Sequence, residues 1–189
     1  MKVICRLFII CILSAVLSWS NYARADVEYI YPDSSDTTQS DWLANTGTKH
    51  GAIDDTQGSP DDATTYIYAT AGNQDEDGGF GNLVTADSDD TYTAVVMYLR
   101  GQEPGGERIT WGYNGGSTET LDAATWTNDS KDLYAAGVDT YAEINALTWY
   151  IIAKVVGKDT HTRWDVTQVY IAVTYTPVTP GAGKVIIID

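Results

Sequence analysis

From residue 162 to 177 the chain reads TRWDVTQVYIAVTYTP. Val169, Ile171, Val173 and Tyr175 fall at every second position, with Gln168, Tyr170, Ala172 and Thr174 between them. A period of two belongs to a strand with one dry face and one wetter face. The pattern recurs upstream. Residues 27–31 predict a first strand that ends at Pro32-Asp33, and 65–70 place Ile67 and Ala69 on one face against Tyr66 and Tyr68 on the other. Residues 92–100 are apolar on both faces, Val95, Met97 and Leu99 opposing Ala94, Val96 and Tyr98, as in a central strand. The stretch 102–107, with Pro104-Gly105-Gly106, predicts a turn, and 108–113 its returning partner, with Ile109, Trp111 and Tyr113 on one face.

Further strands are expected at 118–127, 132–134 and 146–156, the last leading through a turn at 157–160 into the stretch quoted first. No helical stripe occurs after residue 26, and only 135–145 has room for a short helical turn. Two hairpins, 92–113 and 146–176, should supply most of the core, with Trp111, Trp149 and Trp164 inside it. Many short strands separated by Gly- and Asp-rich breaks predict an all-β antiparallel sandwich, jelly-roll-like in kind.

The first residues stand apart from that pattern. Lys2 and Arg6 precede an apolar run at 7–16, and Ala23-Arg24-Ala25 carries small residues where a signal peptidase needs them. This is the form of a secretory signal cleaved after Ala25. The apolar run is too short to span a bilayer, so no membrane span is expected in the mature chain. Cys11 follows Phe8-Ile9-Ile10 rather than small residues, unlike a lipoprotein attachment site. The expected organisation is a signal at 1–25, a sandwich domain at 26–177, and a linker with a terminal strand at 178–189.

Cleavage would remove Cys5 and Cys11, both of the chain's cysteines, so the exported domain must hold by packing, backbone hydrogen bonds or metal. It would also remove Lys2, Arg6 and Arg24, leaving a chain more acidic than the full-length net charge of −15. Such a balance argues against nucleic acid and against anionic membrane surfaces, which both require clustered cations. It suits a soluble extracellular surface or cation binding.

The acids are clustered. Asp54-Asp55, Asp61-Asp62, Asp75-Glu76-Asp77 and Asp87-Ser88-Asp89-Asp90 are set among Gly, Ser and Asn. Loops of this kind offer the hard oxygens that Ca2+ takes, so Asp54, Asp55, Asp75, Asp77, Asp87, Asp89 and Asp90 are candidate ligands for a structural Ca2+. The alternative is that each Asp caps its own turn.

Catalytic constellations are missing. No two Glu share a strand at period-two spacing with flanking aromatics, His50 and His161 lack a third zinc ligand at a recognisable spacing, and no Gly-x-Ser-x-Gly turn occurs. A non-catalytic protein is expected. Trp42, Trp126, Tyr113 and Tyr134, beside polar loops, are candidates for stacking on sugar rings, with core packing as the alternative use of the same side chains. Asn128-Asp129-Ser130 is a glycosylation sequon. At the C-terminus Val185, Ile186, Ile187 and Ile188 form a β-branched run after a Pro- and Gly-rich linker. Such a strand either completes its own sheet or pairs with a neighbouring subunit's edge.

Two stretches, WLANTGTKHGAIDDTQGSPDDATTYIYAT (42–70) and INALTWYIIAKVVGKDTHTRWDVTQVYIAVTYTP (144–177), resemble a recurrent, uncharacterised β-sandwich module of phage virion proteins and bacterial surface or secreted proteins. The resemblance rests on the acidic turns before an aromatic strand and on a Val-Thr-Gln-Val-Tyr strand ending near Tyr-Thr-Pro. It implies a sandwich fold and a structural or adhesive role, and brings no catalytic residues. A signal peptide departs from what a virion protein needs and favours an exported one. The resulting expectation is an extracellular surface or filament-forming subunit, self-associating or attached to a cell-surface polymer. A glycan-binding module is the alternative.

Overall fold

A computed structural model describes residues 24–35, 42–62, 64–103, 105, 107–155 and 163–178. Two antiparallel sheets face each other. The larger contains β1 (Asp26–Ile30), β2 (Leu43–Ala44), β3 (Ile67–Ala69), β5 (Thr91–Gln102), β8 (Thr127–Asp132) and β10 (Trp164–Thr176). The smaller runs in the order β4 (Asp75–Gly79), β9 (Thr148–Lys154), β6 (Arg108–Tyr113), β7 (Glu119–Leu121). The protein is thus an all-β, jelly-roll-like sandwich. Its one α-helix among the described residues, α1 (Tyr141–Asn145), is set by a capping box: the Glu143 amide donates to Thr140 Oγ1, and the Thr140 amide donates to the Glu143 carboxylate. Among the described residues no helix is long and apolar enough to cross a membrane.

Strand β10 organises the large sheet. One edge pairs with β5 along nearly its whole length, from Asp165 opposite Gln102 to Thr176 opposite Thr91. Three segments complete the other edge in succession: β3 at Trp164–Val166, a single bridge between Gln168 and Asp54, and β1 from Ile171 to Tyr175. A register shift between Val166 and Gln168 puts Thr167 in a bulge where those segments change over.

Both hairpins expected from the sequence are corrected. β5 and β6 lie in opposite sheets, and so do β9 and β10. Turn chemistry in the sequence does not choose the partner, and Pro104 and Gly106 lie outside the described residues. The buried face of β5 (Val95, Met97, Leu99) meets the buried face of β6 (Ile109, Trp111, Tyr113) across the core, not beside it. Gly101 marks the closest approach, since a Cβ there would sit 3.0 Å from Ile109 Cδ1 and 3.1 Å from Leu121 Cδ2. The stretch expected as one strand at 118–127 divides between β7 and β8, again in different sheets.

Trp42, Trp111, Trp149 and Trp164 are fully buried. Three of these indoles also find an acceptor: Gln74 O for Trp42, Asp129 Oδ2 for Trp111 and Gly79 O for Trp149. Each buried indole contributes roughly 4–6 kcal/mol of gross burial, before the entropy of ordering it is set against this. Polar ties close the β7/β8 side, where Lys131 Nζ donates to Glu119 Oε1 at 2.7 Å. Val185, Ile186, Ile187 and Ile188 lie outside the described residues.

Candidate functional site

The outer face of the large sheet is where polar and aromatic side chains gather. Tyr68 stands opposite Asp165, Asp165 opposite Gln102, and Trp126 lies one residue beyond the pair Gly101 and Thr127. Four neighbouring strands therefore bring Tyr68, Asp165, Gln102 and Trp126 into one cross-strand row. Tyr66, just before β3, and Arg100, on β5, lie two residues from Tyr68 and Gln102, on the same face. The result is an open groove of about 420 Å3 lined by Asp62, Tyr66, Gln102, Trp126, Arg163 and Asp165.

Its side chains are held by charge and by ring contacts. Arg100 donates from Nε to Asp62 Oδ1 at 2.6 Å, from Nη2 to the other Asp62 oxygen, and from Nη1 to Asn128 Oδ1 at 2.9 Å. That bidentate fork fixes both partners and raises the Arg100 pKa further. Arg163 donates from Nε to Asp165 Oδ1 at 2.6 Å, and Gln102 Nε2 donates to Asp165 Oδ2 at 2.9 Å. The Arg163 guanidinium lies over Tyr66 and Tyr68, 4.9 and 5.1 Å from the ring centroids. Tyr66 and Trp126 are tilted neighbours with centroids 6.5 Å apart.

The loop between β2 and β3 walls the groove. Gln168 Nε2 donates to Asp55 O at 2.7 Å, and the Val169 amide to Ile53 O at 2.9 Å. Asp55 accepts from the Asp61 amide and from Thr167 Oγ1, the bulged residue of β10. Burial pushes the Asp55 carboxyl above its ordinary range; the Asp61 amide pulls the other way and the Asp61 charge adds to the rise. This loop explains why the face of β10 expected to be wetter is dry at its centre: every residue from Trp164 to Ile171 is buried, Gln168 included. Beyond the loop Tyr170 is covered by its neighbours, stacked on Tyr98 at 4.8 Å with Tyr29 and Tyr31 at its edges.

The sugar-stacking candidates divide. Trp126 is half-buried in the groove and Tyr134 is exposed in the turn after β8. Trp42 and Tyr113 are corrected: both are core residues, Trp42 because its indole is fully buried and donates to Gln74 O, Tyr113 because it ends the inward face of β6. Alternation alone could not tell these aromatics from Trp126. Tyr66, Gln102, Arg163, Asp62 and Asp165 were not expected at the site. The signal that could have found them is the pairing of β3 with β10 and of β10 with β5, which no single stretch displays.

The acidic candidates also separate. Asp75 and Asp77 belong to strand β4, not to a loop, because the run Asp75–Gly79 pairs with β9 at the edge of the small sheet. Their side chains alternate with that of Glu76, which points inward and is buried beside Lys49. Asp87, Asp89 and Asp90 form a turn in which the Asp89 amide donates to Asp87 Oδ1 at 2.8 Å and the Asp87 amide to Asp90 Oδ2 at 2.9 Å. Asp54 is the strand-like bridge to Gln168, and Asp55 is occupied as described. Among the described residues no three His, Cys, Asp or Glu side chains converge as metal ligands.

No protein-family model matches the chain, and a search of curated protein sequences finds no match. Similar solved structures include a CBM35 from Paenibacillus barcinonensis, with a TM-score of 0.36, 14% identity, and coverage of 77% of this chain and 99% of that one. The coat protein of tobacco streak virus gives a TM-score of 0.35 and 10% identity over 71% of this chain and 100% of the other. A family two carbohydrate esterase from Cellvibrio japonicus gives 0.35 and 6% over 84% of this chain, which spans 38% of that enzyme.

Proposed function

We propose that this chain is an exported, non-catalytic glycan-binding module whose site is the groove at the start of β10. The observation that carries the reading is the row of Trp126, Gln102, Asp165 and Tyr68, with Arg163 and Asp62 beside it. Sugar recognition combines a ring face for the apolar C–H surface with fixed donors and acceptors for hydroxyls. Trp126 supplies the first, and Gln102, Asp62 and Arg163 supply the second. Each polar group is braced by another, so little side-chain entropy is lost on binding.

The carboxylates of the groove support a non-catalytic role. Asp62 and Asp165 are each ion-paired to an arginine. All four oxygens of these two carboxylates accept from neighbouring side chains, so neither is arranged as one of an acid and base pair facing a scissile bond. Export fits the leader expected at 1–25, since β1 begins at Asp26, just past the expected cleavage point.

The test is a binding screen of the mature chain on immobilised polysaccharides and a glycan array, alongside Trp126→Ala and Tyr66→Ala. Retention on at least one glycan, weakened at least about tenfold by Trp126→Ala with the fold intact, is the expected result; stacking losses are commonly worth 1–2 kcal/mol or about 10-fold or more. A blank array, or binding untouched by either substitution, rejects the reading.

A further inference from the structure

Resting on that glycan-binding reading, we propose that the groove selects glycans bearing an anionic group, a carboxylate or a sulfate ester, and that Arg163 is the residue that selects them. The bulk charge of −15 points away from anionic ligands, but the charges that reach solvent inside the groove do not follow the bulk. Four charged side chains line or floor it. The Asp165 side chain is 5% exposed and its two oxygens are taken by Arg163 Nε and Gln102 Nε2. Asp62 is 27% exposed, and both its oxygens accept from Arg100. Arg100 is 17% exposed and uses Nε, Nη1 and Nη2 on Asp62 and Asn128.

Arg163 differs from all three. It is 44% exposed and makes one carboxylate contact, through Nε. Its stacking on Tyr66 and Tyr68 fixes the plane of the guanidinium without consuming both terminal nitrogens. Its side chain lines the groove, tied at Nε to Asp165 and lying over the two tyrosine rings. A planar fork held in place is the geometry that two oxygens of a carboxylate or sulfate accept in parallel. A neutral hydroxyl uses one of those donors; an anion uses both and adds charge. Charges more than one Debye length from the groove, about 8 Å in physiological salt, are largely screened.

The experiment compares unsubstituted xylan and galactan, polygalacturonate, and a sulfated galactan, using the full mature chain, Arg163→Gln and Arg163→Lys. The expected result is binding of at least one anionic polymer about tenfold tighter than its neutral counterpart, weakening as NaCl rises from about 0.05 to 0.5 M. Arg163→Gln should abolish that preference while leaving Trp126-dependent binding of neutral chains. Arg163→Lys should keep part of it, because it retains charge but not the fork. The carboxylated and sulfated arms identify which anion is read. Equal or tighter binding of neutral polymers, unchanged by Arg163→Gln, overturns the selection by Arg163 and leaves the glycan-binding reading standing. Binding of none of these polymers overturns the selection by Arg163, and the glycan-binding reading falls with it only if the glycan array is blank as well. If Arg163→Gln fails to fold, the wild-type panel and its salt dependence decide the question.

Discussion

Two aromatic clusters share the outer face of the large sheet, and they have opposite characters. At one end Tyr66 is a tilted neighbour of both Tyr68 and Trp126, with centroids 6.1 and 6.5 Å apart, beside an open groove, and the ion-paired Arg163 lies over the two tyrosine rings. Past the loop that carries Asp55, Tyr170 is enclosed by Tyr98, Tyr29 and Tyr31, and is itself buried. Side-chain type and strand spacing are alike in both. The difference is in what lies over the rings. An ion-paired guanidinium lies on the tyrosines of the platform beside the groove, whereas in the cladding Tyr170 is stacked on another ring and edged by two more, with Gln57 bonded to Tyr31. Aromatic content on a sheet face therefore says little about binding until the groups packed on the rings are known.

The largest expected effect comes from removing the centre of the cladding. Tyr170→Ala should cost about 3–4 kcal/mol, since it strips a buried ring and leaves a cavity between Tyr98, Tyr29 and Tyr31. Urea unfolding checks it, and a loss below about 1 kcal/mol would show that the cluster is no more than a surface coat. Trp126→Ala should behave in the reverse manner. Its stability loss should stay within about 1 kcal/mol, because the side chain is half-exposed, while ligand binding falls. If both substitutions cost the same stability, the contrast between platform and cladding fails.

Phenol titration sharpens the same contrast. Burial, helped by the nearby phenols Tyr98, Tyr29 and Tyr31, pushes the Tyr170 hydroxyl up to about 12. Tyr92, buried near Asp90 and Asp87, is likewise pushed up to about 12. The unfolded chain ionises its tyrosines near 10, so these two groups stabilise the fold below that pH, and the contribution is lost as pH climbs from about 10 to 12. Absorbance of tyrosinate in alkali should show a late-ionising component, and Tyr170→Phe should diminish it.

Much of the fold was readable along the chain, and the reasons for the failures are physical. Period-two alternation located β3, β5, β6, β9 and β10, because burial of one strand face is a local property of sequence. The sheet to which each strand belongs depends on contacts between distant segments. For that reason the reversals before Arg108 and Trp164 read as hairpins although both cross the sandwich. β4 escaped notice because an edge strand tolerates charge, and Asp75-Glu76-Asp77 looked like a loop. Of the groove, only Trp126 was foreseen. Tyr66, Gln102 and Asp165 meet through strand pairing between residues up to about a hundred positions apart in the chain, and no motif encodes that.

The two regions also carry carboxylates with opposite pH responses, a smaller effect but one with a definite sign. Glu28, on the strand that brings Tyr29 to the cladding, is partly buried, which alone would raise its pKa. The amides of Val84, Ala86 and Thr85 and the Thr85 hydroxyl donate to it and prevail, so the carboxyl is held below its usual range. A depressed folded pKa means stability that is present above the unfolded value of about 4.3 and lost as pH falls through the folded one. Asp55, in the loop walling the groove, is raised instead, so its contribution becomes more favourable as pH falls through its folded pKa. At neutral pH Glu28→Gln should lower stability by about 1 kcal/mol, discounted for its partial exposure, and that loss should shrink near pH 3. Asp55→Asn should change stability by no more than a few tenths of a kcal/mol at neutral pH, because it gives up hydrogen bonds but also relieves the repulsion from Asp61. Melting temperatures of the three proteins from about pH 3 to 7 would separate the two behaviours, and parallel curves for the two variants would contradict the assignment of opposite environments.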